Sequence, residues 1–371
     1  MVTKVQPPTV GTGRDKRIPS LDGIRGYALL TVMVVHIVLF RLTADTPAYV
    51  SVHHIGMVAV STFLQLSGFL ITLVLIREKQ RSGSISLKNF YVRRAVRLWP
   101  ALWGLVGVTA LLGALGYVEV EPINLASALL FVTNYLDQGT DAVLGHTWTL
   151  SLEEQFYLVW PVVILAIGYK NLPRALAIAI VAAPLVRVAS YFLLPGLRDT
   201  MIYQFHVRFD TLAVGCLLAL VWHTERVQKL LTKPWPIGLV AVFGLIVSLF
   251  GEVLLGKKFM LVAGFSIQNI AIVAIIAMAV YHHESLVGRL FNYKLIKWLG
   301  IASYSMYLWQ QMFLLTPWGI LQYWPVGLVA TLIVGTLSYQ ILEKPFMNLR
   351  NRKRKQAEGS VPLAADVAVD K

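Results

Sequence analysis

Ten stretches of this 371-residue chain are apolar for long enough to cross a bilayer, and that property restricts the fold more than any motif does. A hydrocarbon layer about 30 Å thick requires roughly 20 apolar residues in helical form. A backbone in lipid must also satisfy its own hydrogen bonds, which leaves helices as the form such stretches take. They fall near 25–43, 55–76, 97–117, 152–169, 174–194, 208–223, 235–254, 260–281, 298–317 and 323–342. The predicted fold class is therefore an all-α polytopic membrane protein of about ten transmembrane helices. The segment 123–136 (INLASALLFVTNYL) is short for a span and reads as a re-entrant or interfacial helix, with eleven spans as the alternative. Only 14% of residues are charged, against about 25% in soluble domains, and mean hydropathy is +0.65. A soluble enzyme with buried helices would need charged outer faces that these segments lack.

The charge is positive, +14 in total, but its distribution points to topology rather than to nucleic acid. With the N-terminus inside, the six segments predicted to be cytoplasmic hold 27 of the 33 Lys and Arg. The loop 118–151 carries four acidic residues and no Lys or Arg. This is the pattern of the positive-inside rule with both termini cytoplasmic. Residues 1–20 read as a cytoplasmic arm, 21–346 as the transmembrane domain and 347–371 as a basic, disordered cytoplasmic tail. The first apolar segment lacks a small-residue cleavage site and reads as a retained anchor. No soluble domain is expected at either end. No internal or inverted repeat is visible, which weighs against many transporter folds. Cys216 is the only cysteine, so a disulfide framework or thiolate metal site is excluded.

Ionisable residues inside such segments need a reason to be there. Arg25 and His36 are eleven residues apart. On a helix that places them on one face, about 16 Å apart at ~1.5 Å per residue. An imidazole titrates near neutrality, so it is cheap to bury neutral and able to take a proton. Arg93, Arg94 and Arg97 in KNFYVRRAVRLWP form a guanidinium cluster suited to phosphate. In HTWTLSLEEQFYLVWP, His146, Glu153 and Glu154 sit at the outer edge of a span. Ser67 and Gly68 in LQLSGFLIT permit close helix approach and supply a hydroxyl, without forming a nucleophile elbow. Arg208 and Asp210 start another span, and Glu343–Lys344 reads as a boundary feature. Walker, dinucleotide, HExxH and Cys/His patterns are absent, so no metal is expected.

Together these residues describe acyl transfer. The arginines would hold the phosphates of an acyl-CoA co-substrate. His36 would deprotonate the attacking hydroxyl or carry the acyl group transiently, with Arg25 as its electrostatic partner toward the thioester. Glu153 and Glu154 would orient His36 or the acceptor, and Ser67 and Arg208 are further candidate substrate contacts. The alternative is a proton-coupled exporter or flippase with His36 and the acidic pair as a relay. The partners expected from these residues are the acyl-CoA donor, an acceptor bearing a hydroxyl and the lipid bilayer, with a homo-oligomer as an option and no nucleic acid.

The ordered set LDGIRGYALLTVMVVH, SGFLIT, FYVRRAVRLWPALW, HTWTLSLEEQFYLVWP, SYSMYLWQ and LEKPF resembles the membrane-bound acyltransferase family 3 over residues 18–346. The resemblance implies ten helices and transfer of acyl groups, usually acetyl, from cytoplasmic acyl-CoA to sugars or related acceptors, which makes the expected acceptor a carbohydrate or glycosylated molecule. It assigns Arg25 and His36 to an Arg-x10-His pair with a catalytic His, Arg94 and Arg97 to a donor-binding pair, and Glu153 and Glu154 to an acidic pair. Many relatives carry His after YLW where this chain has Gln310. Some carry an extracytoplasmic esterase-like domain, which is not expected here, so the chain would transfer unaided or with a separate partner.

Overall fold

The computed structural model describes residues 19–44, 46–136, 143–316 and 319–349, so the N-terminal arm and most of the expected C-terminal tail lie outside the described residues. Among the described residues the regular structure is helical throughout. In chain order the α-helices are α1 (Pro19–Leu39), α2 (Pro47–Ser82), α3 (Leu87–Ala114), α4 (Pro122–Leu130), α5 (Trp148–Ile167), α6 (Leu172–Leu193), α7 (Phe205–Val221) and α8 (Glu225–Leu231). They continue as α9 (Pro234–Leu255), α10 (Lys257–Phe259), α11 (Phe265–Tyr281), α12 (Leu286–Phe291), α13 (Lys294–Ile301), α14 (Ser303–Leu314) and α15 (Trp324–Ser338). Nine helical segments among the described residues are long and apolar enough to cross a membrane. The chain is a multi-pass membrane protein of the predicted class.

Two local departures from the sequence expectation matter for the interior. The stretch 298–317 is not one continuous span. It breaks at Ala302 into α13 and the twelve-residue α14, and twelve residues rise only about 18 Å. Ser303, Ser305, Gln310 and Gln311 are all buried on α14, so this short helix is enclosed by protein and its polar side chains face partners instead of lipid. The stretch 123–136 forms the nine-residue α4 and a 3₁₀ turn at Thr133–Tyr135, neither long enough to cross.

The long helix α2 is the central post. It has 36 residues, capped at its start by the Thr46 hydroxyl accepting from the Tyr49 N–H and closed by Gly83 in the left-handed conformation. α1 and α7 pack against it, α9 and α11 adjoin it, and α5 crosses its middle. The α2–α7 contact is close because both helices present glycine. A Cβ on Gly68 would run into the Leu212 carbonyl, and one on Gly215 into the Gln65 carbonyl. In lipid there is no hydrophobic drive to bring helices together, so backbone approach of this kind carries the association. By contrast, α6 and α9 keep most of their apolar surface outward, which is what helices bordered by lipid do.

The glycine contact makes a test of opposite signs. Gly215→Ala overfills the α2–α7 seam and should cost about 1–3 kcal/mol. Gly107→Ala on α3 meets nothing within 4 Å and should gain up to ~1 kcal/mol from helix propensity. Unfolding midpoints of the two variants in one detergent, moving in opposite directions around the parent, check this.

Candidate active site

The interior contains a row of three adjoining spaces. The first is a mouth at the arginine-rich end of the bundle, bordered by Asp22 and Arg25 of α1, Arg97 of α3 and Glu343. Arg25 and Arg97 also line the second space, a chamber of about 80 Å³ that adds Arg94, Ser67, Glu153 and Tyr157. Val60 and Tyr307 line both this chamber and a third space of about 360 Å³, which contains His36, His53 and His146. Arg25 and His36, predicted to share one face of α1, thus open into successive chambers of one passage.

The arginine chamber is a web of compensated charge. Arg94 Nη2 lies 3.2 Å from Glu154 Oε1, and its guanidinium stacks 3.4 Å from the centre of the Tyr157 ring. Glu153, one residue from Glu154 and so turned about 100° around α5, accepts from the Ser67 hydroxyl at 2.8 Å and from the Tyr157 hydroxyl at 3.2 Å. Arg97 Nε approaches Glu343 Oε1 at 3.9 Å, and the Ser305 hydroxyl donates to the other Glu343 oxygen at 3.1 Å. Glu343 is only 1% exposed, which corrects its reading as a boundary feature. A wide π-turn at Tyr339–Glu343 shifts the register at the end of α15. The acidic pair therefore meets the arginines and Ser67, and neither carboxylate is hydrogen-bonded to His36.

The histidine chamber is organised by two successive glutamines of α14. Gln310 Oε1 lies 3.4 Å from His36 Nδ1, and Gln311 Oε1 lies 2.9 Å from His146 Nδ1. A glutamine oxygen only accepts, so each Nδ1 carries its proton and each Nε2 keeps a lone pair. Gln311 also accepts from the His146 backbone N–H at 3.2 Å, which pins the start of α5. Tyr307 stands between the chambers. Its hydroxyl accepts from Thr149 at 3.0 Å and donates to the His146 carbonyl at 3.2 Å.

Two of the sequence candidates lie elsewhere. Arg93 points away from the passage and pairs with Glu78. Arg208 is fully buried between α7 and α2, donating to the Ser61 hydroxyl at 2.6 Å and lying 4.2 Å from the Phe265 ring centre. It belongs to an intramembrane polar cluster in which Arg187 pairs with Asp210 and Asn269 donates to the same carboxylate. Residues that the sequence reading left without a role, His53, Tyr157, Tyr307, Gln310 and Gln311, line the passage or orient its imidazoles. The available signal was the pair of adjacent glutamines inside an apolar helix. No group of three or more metal-ligating side chains occurs among the described residues.

The compensation around Arg94 predicts coupling. Glu154→Leu leaves a buried guanidinium short of its partner and should cost about 1–3 kcal/mol, discounted for partial exposure. Arg94→Leu/Glu154→Leu should cost less than the sum of the single changes. A double-mutant cycle on unfolding midpoints in detergent measures this, and strictly additive costs would contradict the pairing.

Comparison with known proteins bears on this arrangement. The O-acetyltransferase OatA of Staphylococcus aureus strain NCTC 8325 is 28% identical over 357 residues, covering 88% of this chain and 57% of the relative. The peptidoglycan O-acetyltransferase OatA of Listeria monocytogenes is 26% identical over 362 residues, covering 89% and 56%. The putative peptidoglycan O-acetyltransferase YrhL of Bacillus subtilis is 28% identical over 366 residues, covering 90% and 55%. The chain thus spans little more than half the length of these curated relatives. No solved structure matches. The family model described as an acyltransferase domain matches residues 18–340, which includes every side chain of the two chambers, and the chain belongs to the acyltransferase 3 family.

Proposed function

We propose that this protein is an O-acyltransferase of the bacterial inner membrane that moves an acyl group, acetyl first, from cytoplasmic acyl-CoA to a hydroxyl of a glycan, a lipid-linked sugar or a glycosylated metabolite. The observation that carries the reading is the pair of adjoining chambers, one rich in arginine and the next built around His36, joined across Val60 and Tyr307. Family membership and the O-acetyltransferase relatives support it.

In this reading the donor enters by the arginine-rich mouth. Arg97 and Arg94 hold its phosphates as guanidinium forks, and the narrow chamber beyond the mouth takes the linear thioester arm. Arg25 stands where the thioester passes between mouth and chamber. Glu153 and Glu154 keep the arginine side chains in place, which makes them positioning residues. His36, with its proton held on Nδ1 by Gln310, presents Nε2. As a base it takes the acceptor hydroxyl proton while oxygen attacks the thioester carbonyl, the C–S bond breaks, and the proton passes to the departing thiolate. As a carrier, Nε2 itself attacks, coenzyme A leaves as the thiol, and the acceptor hydroxyl then displaces the imidazole. Both routes conserve protons and leave His36 unchanged. The wider histidine chamber has the room for a bulky acceptor.

His36→Ala should reduce transfer from labelled acetyl-CoA to a carbohydrate acceptor by about 10²–10⁴-fold, the range for loss of a general base, with insertion and unfolding midpoint retained. Arg97→Ala should raise the KM for acetyl-CoA with a smaller effect on kcat. Full activity in the His36 variant would sink the mechanism. Solute flux driven by a pH gradient, with no specific binding of acetyl-CoA, would favour the exporter alternative.

A further inference from the structure

Six Lys and Arg lie outside the segments predicted to be cytoplasmic: Arg41, Arg187, Arg198, Arg208, Lys257 and Lys258. Arg187 and Arg208 are interior and bonded there. Three of the remaining four, Arg198, Lys257 and Lys258, converge on a single recess of about 590 Å³ at the end of the bundle opposite the arginine mouth. They come from two places in the chain, the turn after α6 and the junction of α9 with α10. Asp199 shares the rim, leaving an excess of positive charge. Arg198 is held in place, its Nε donating to the Tyr191 carbonyl at 2.9 Å and its guanidinium lying 4.6 Å from the Tyr191 ring centre.

Below this basic rim the walls are apolar. Met201, Ile202, Leu255 and Leu261 line the recess, and the neighbouring Phe192, Leu193 and Leu254 are exposed on the outer faces of α6 and α9. A positive rim over an outward-facing apolar wall suits the phosphate headgroup of a lipid, whose chain can run down the helices. Placement sharpens this. The 3₁₀ turn Met201–Tyr203 is the partition between the recess and the histidine chamber, for Met201 and Ile202 line the one and Tyr203 the other.

We propose that the recess binds the phosphate of a lipid that carries the acceptor glycan, so that the attached sugar reaches the histidine chamber across the Met201–Tyr203 turn. The inference rests on the acyltransferase reading above and narrows its acceptor to a phospholipid-type conjugate. The test compares the parent with Arg198→Glu/Lys257→Glu/Lys258→Glu, which alters no residue of the two chambers.

In a first arm, native mass spectrometry of purified protein with polyprenyl phosphate should show a lipid adduct that excess inorganic phosphate does not displace and that the variant loses at least about tenfold. In a second arm, transfer from labelled acetyl-CoA is measured to a polyprenyl diphosphate-linked saccharide and to the same saccharide free in solution. The variant should lose about tenfold or more with the linked acceptor and match the parent with the free one. Equal adducts or equal transfer to the linked acceptor in both proteins would overturn the proposal. So would loss on both acceptors, or displacement by inorganic phosphate alone. An adduct formed equally with phosphatidylglycerol, with linked transfer unchanged in the variant, would assign the recess to bulk phospholipid and overturn the acceptor role. A parent that forms the adduct but transfers to neither acceptor would reject the acyltransferase reading while leaving the lipid-phosphate site standing.

Discussion

Charge held inside an apolar bundle is the constraint on which the rest of this structure depends. An unpaired guanidinium or carboxylate there costs several kcal/mol even after relaxation, so each interior ion has to find a partner. α2 supplies several of them. Down its length Ser61 meets Arg208, Ser67 meets Glu153, His54 meets Glu252 of α9, and Gln65 meets Asn269 of α11. Thr72, nearer the arginine end, accepts from the Trp160 indole of α5 at 3.0 Å. A helix that had only to cross lipid would be apolar all round. This one carries a ladder of short polar side chains, and the helices around it are held in register by their bonds to it.

That ladder explains why the charged clusters form two separate networks. On one side of α2, Glu153, Glu154, Arg94, Arg97 and Glu343 surround an open chamber. On another, Arg187, Asp210, Asn269 and Arg208 lie in a closed interior with bonds to Ser61, Ser266 and the Val207 carbonyl. The first network lines a passage and the second braces the α6, α7 and α11 wall behind it. The same residue types serve opposite ends because one set faces a cavity and the other faces packed protein.

The passage also separates tasks that would interfere if they shared one space. Arginines that attract phosphate would repel a protonated imidazole beside them. The structure keeps them apart with Tyr307, whose hydroxyl is tied to Thr149 and to the His146 backbone. The imidazoles of His36 and His146 instead each meet a neutral glutamine, which orients the ring and sets its tautomer without adding charge. In the proposed reaction this is the arrangement that lets a polyanionic donor and a neutral nucleophile approach one another from opposite ends.

The sequence by itself determined the helical, multi-pass class, the number of spans to within one, and the passage residues Arg25, His36, Ser67, Arg94, Arg97 and Glu153. These are legible because lipid forbids anything but long apolar helices and makes every ionisable residue within them conspicuous. Family resemblance rested on the same conspicuous residues. Only the tertiary structure decided which of them meet. Arg93 and Arg94 are adjacent in sequence, yet a turn of about 100° sends one to Glu78 and the other to Glu154. Arg208 looked as available as Arg97 but is enclosed by Ser61 and Phe265. Glu343 resembled a chain-end charge until the π-turn brought it under Arg97. The break at Ala302 carries no local signal, because an apolar stretch reads the same whether lipid or protein surrounds it. Spacing along one helix fixes direction within that helix alone. Which partner waits there depends on contacts between residues far apart in the chain, and no local pattern encodes those.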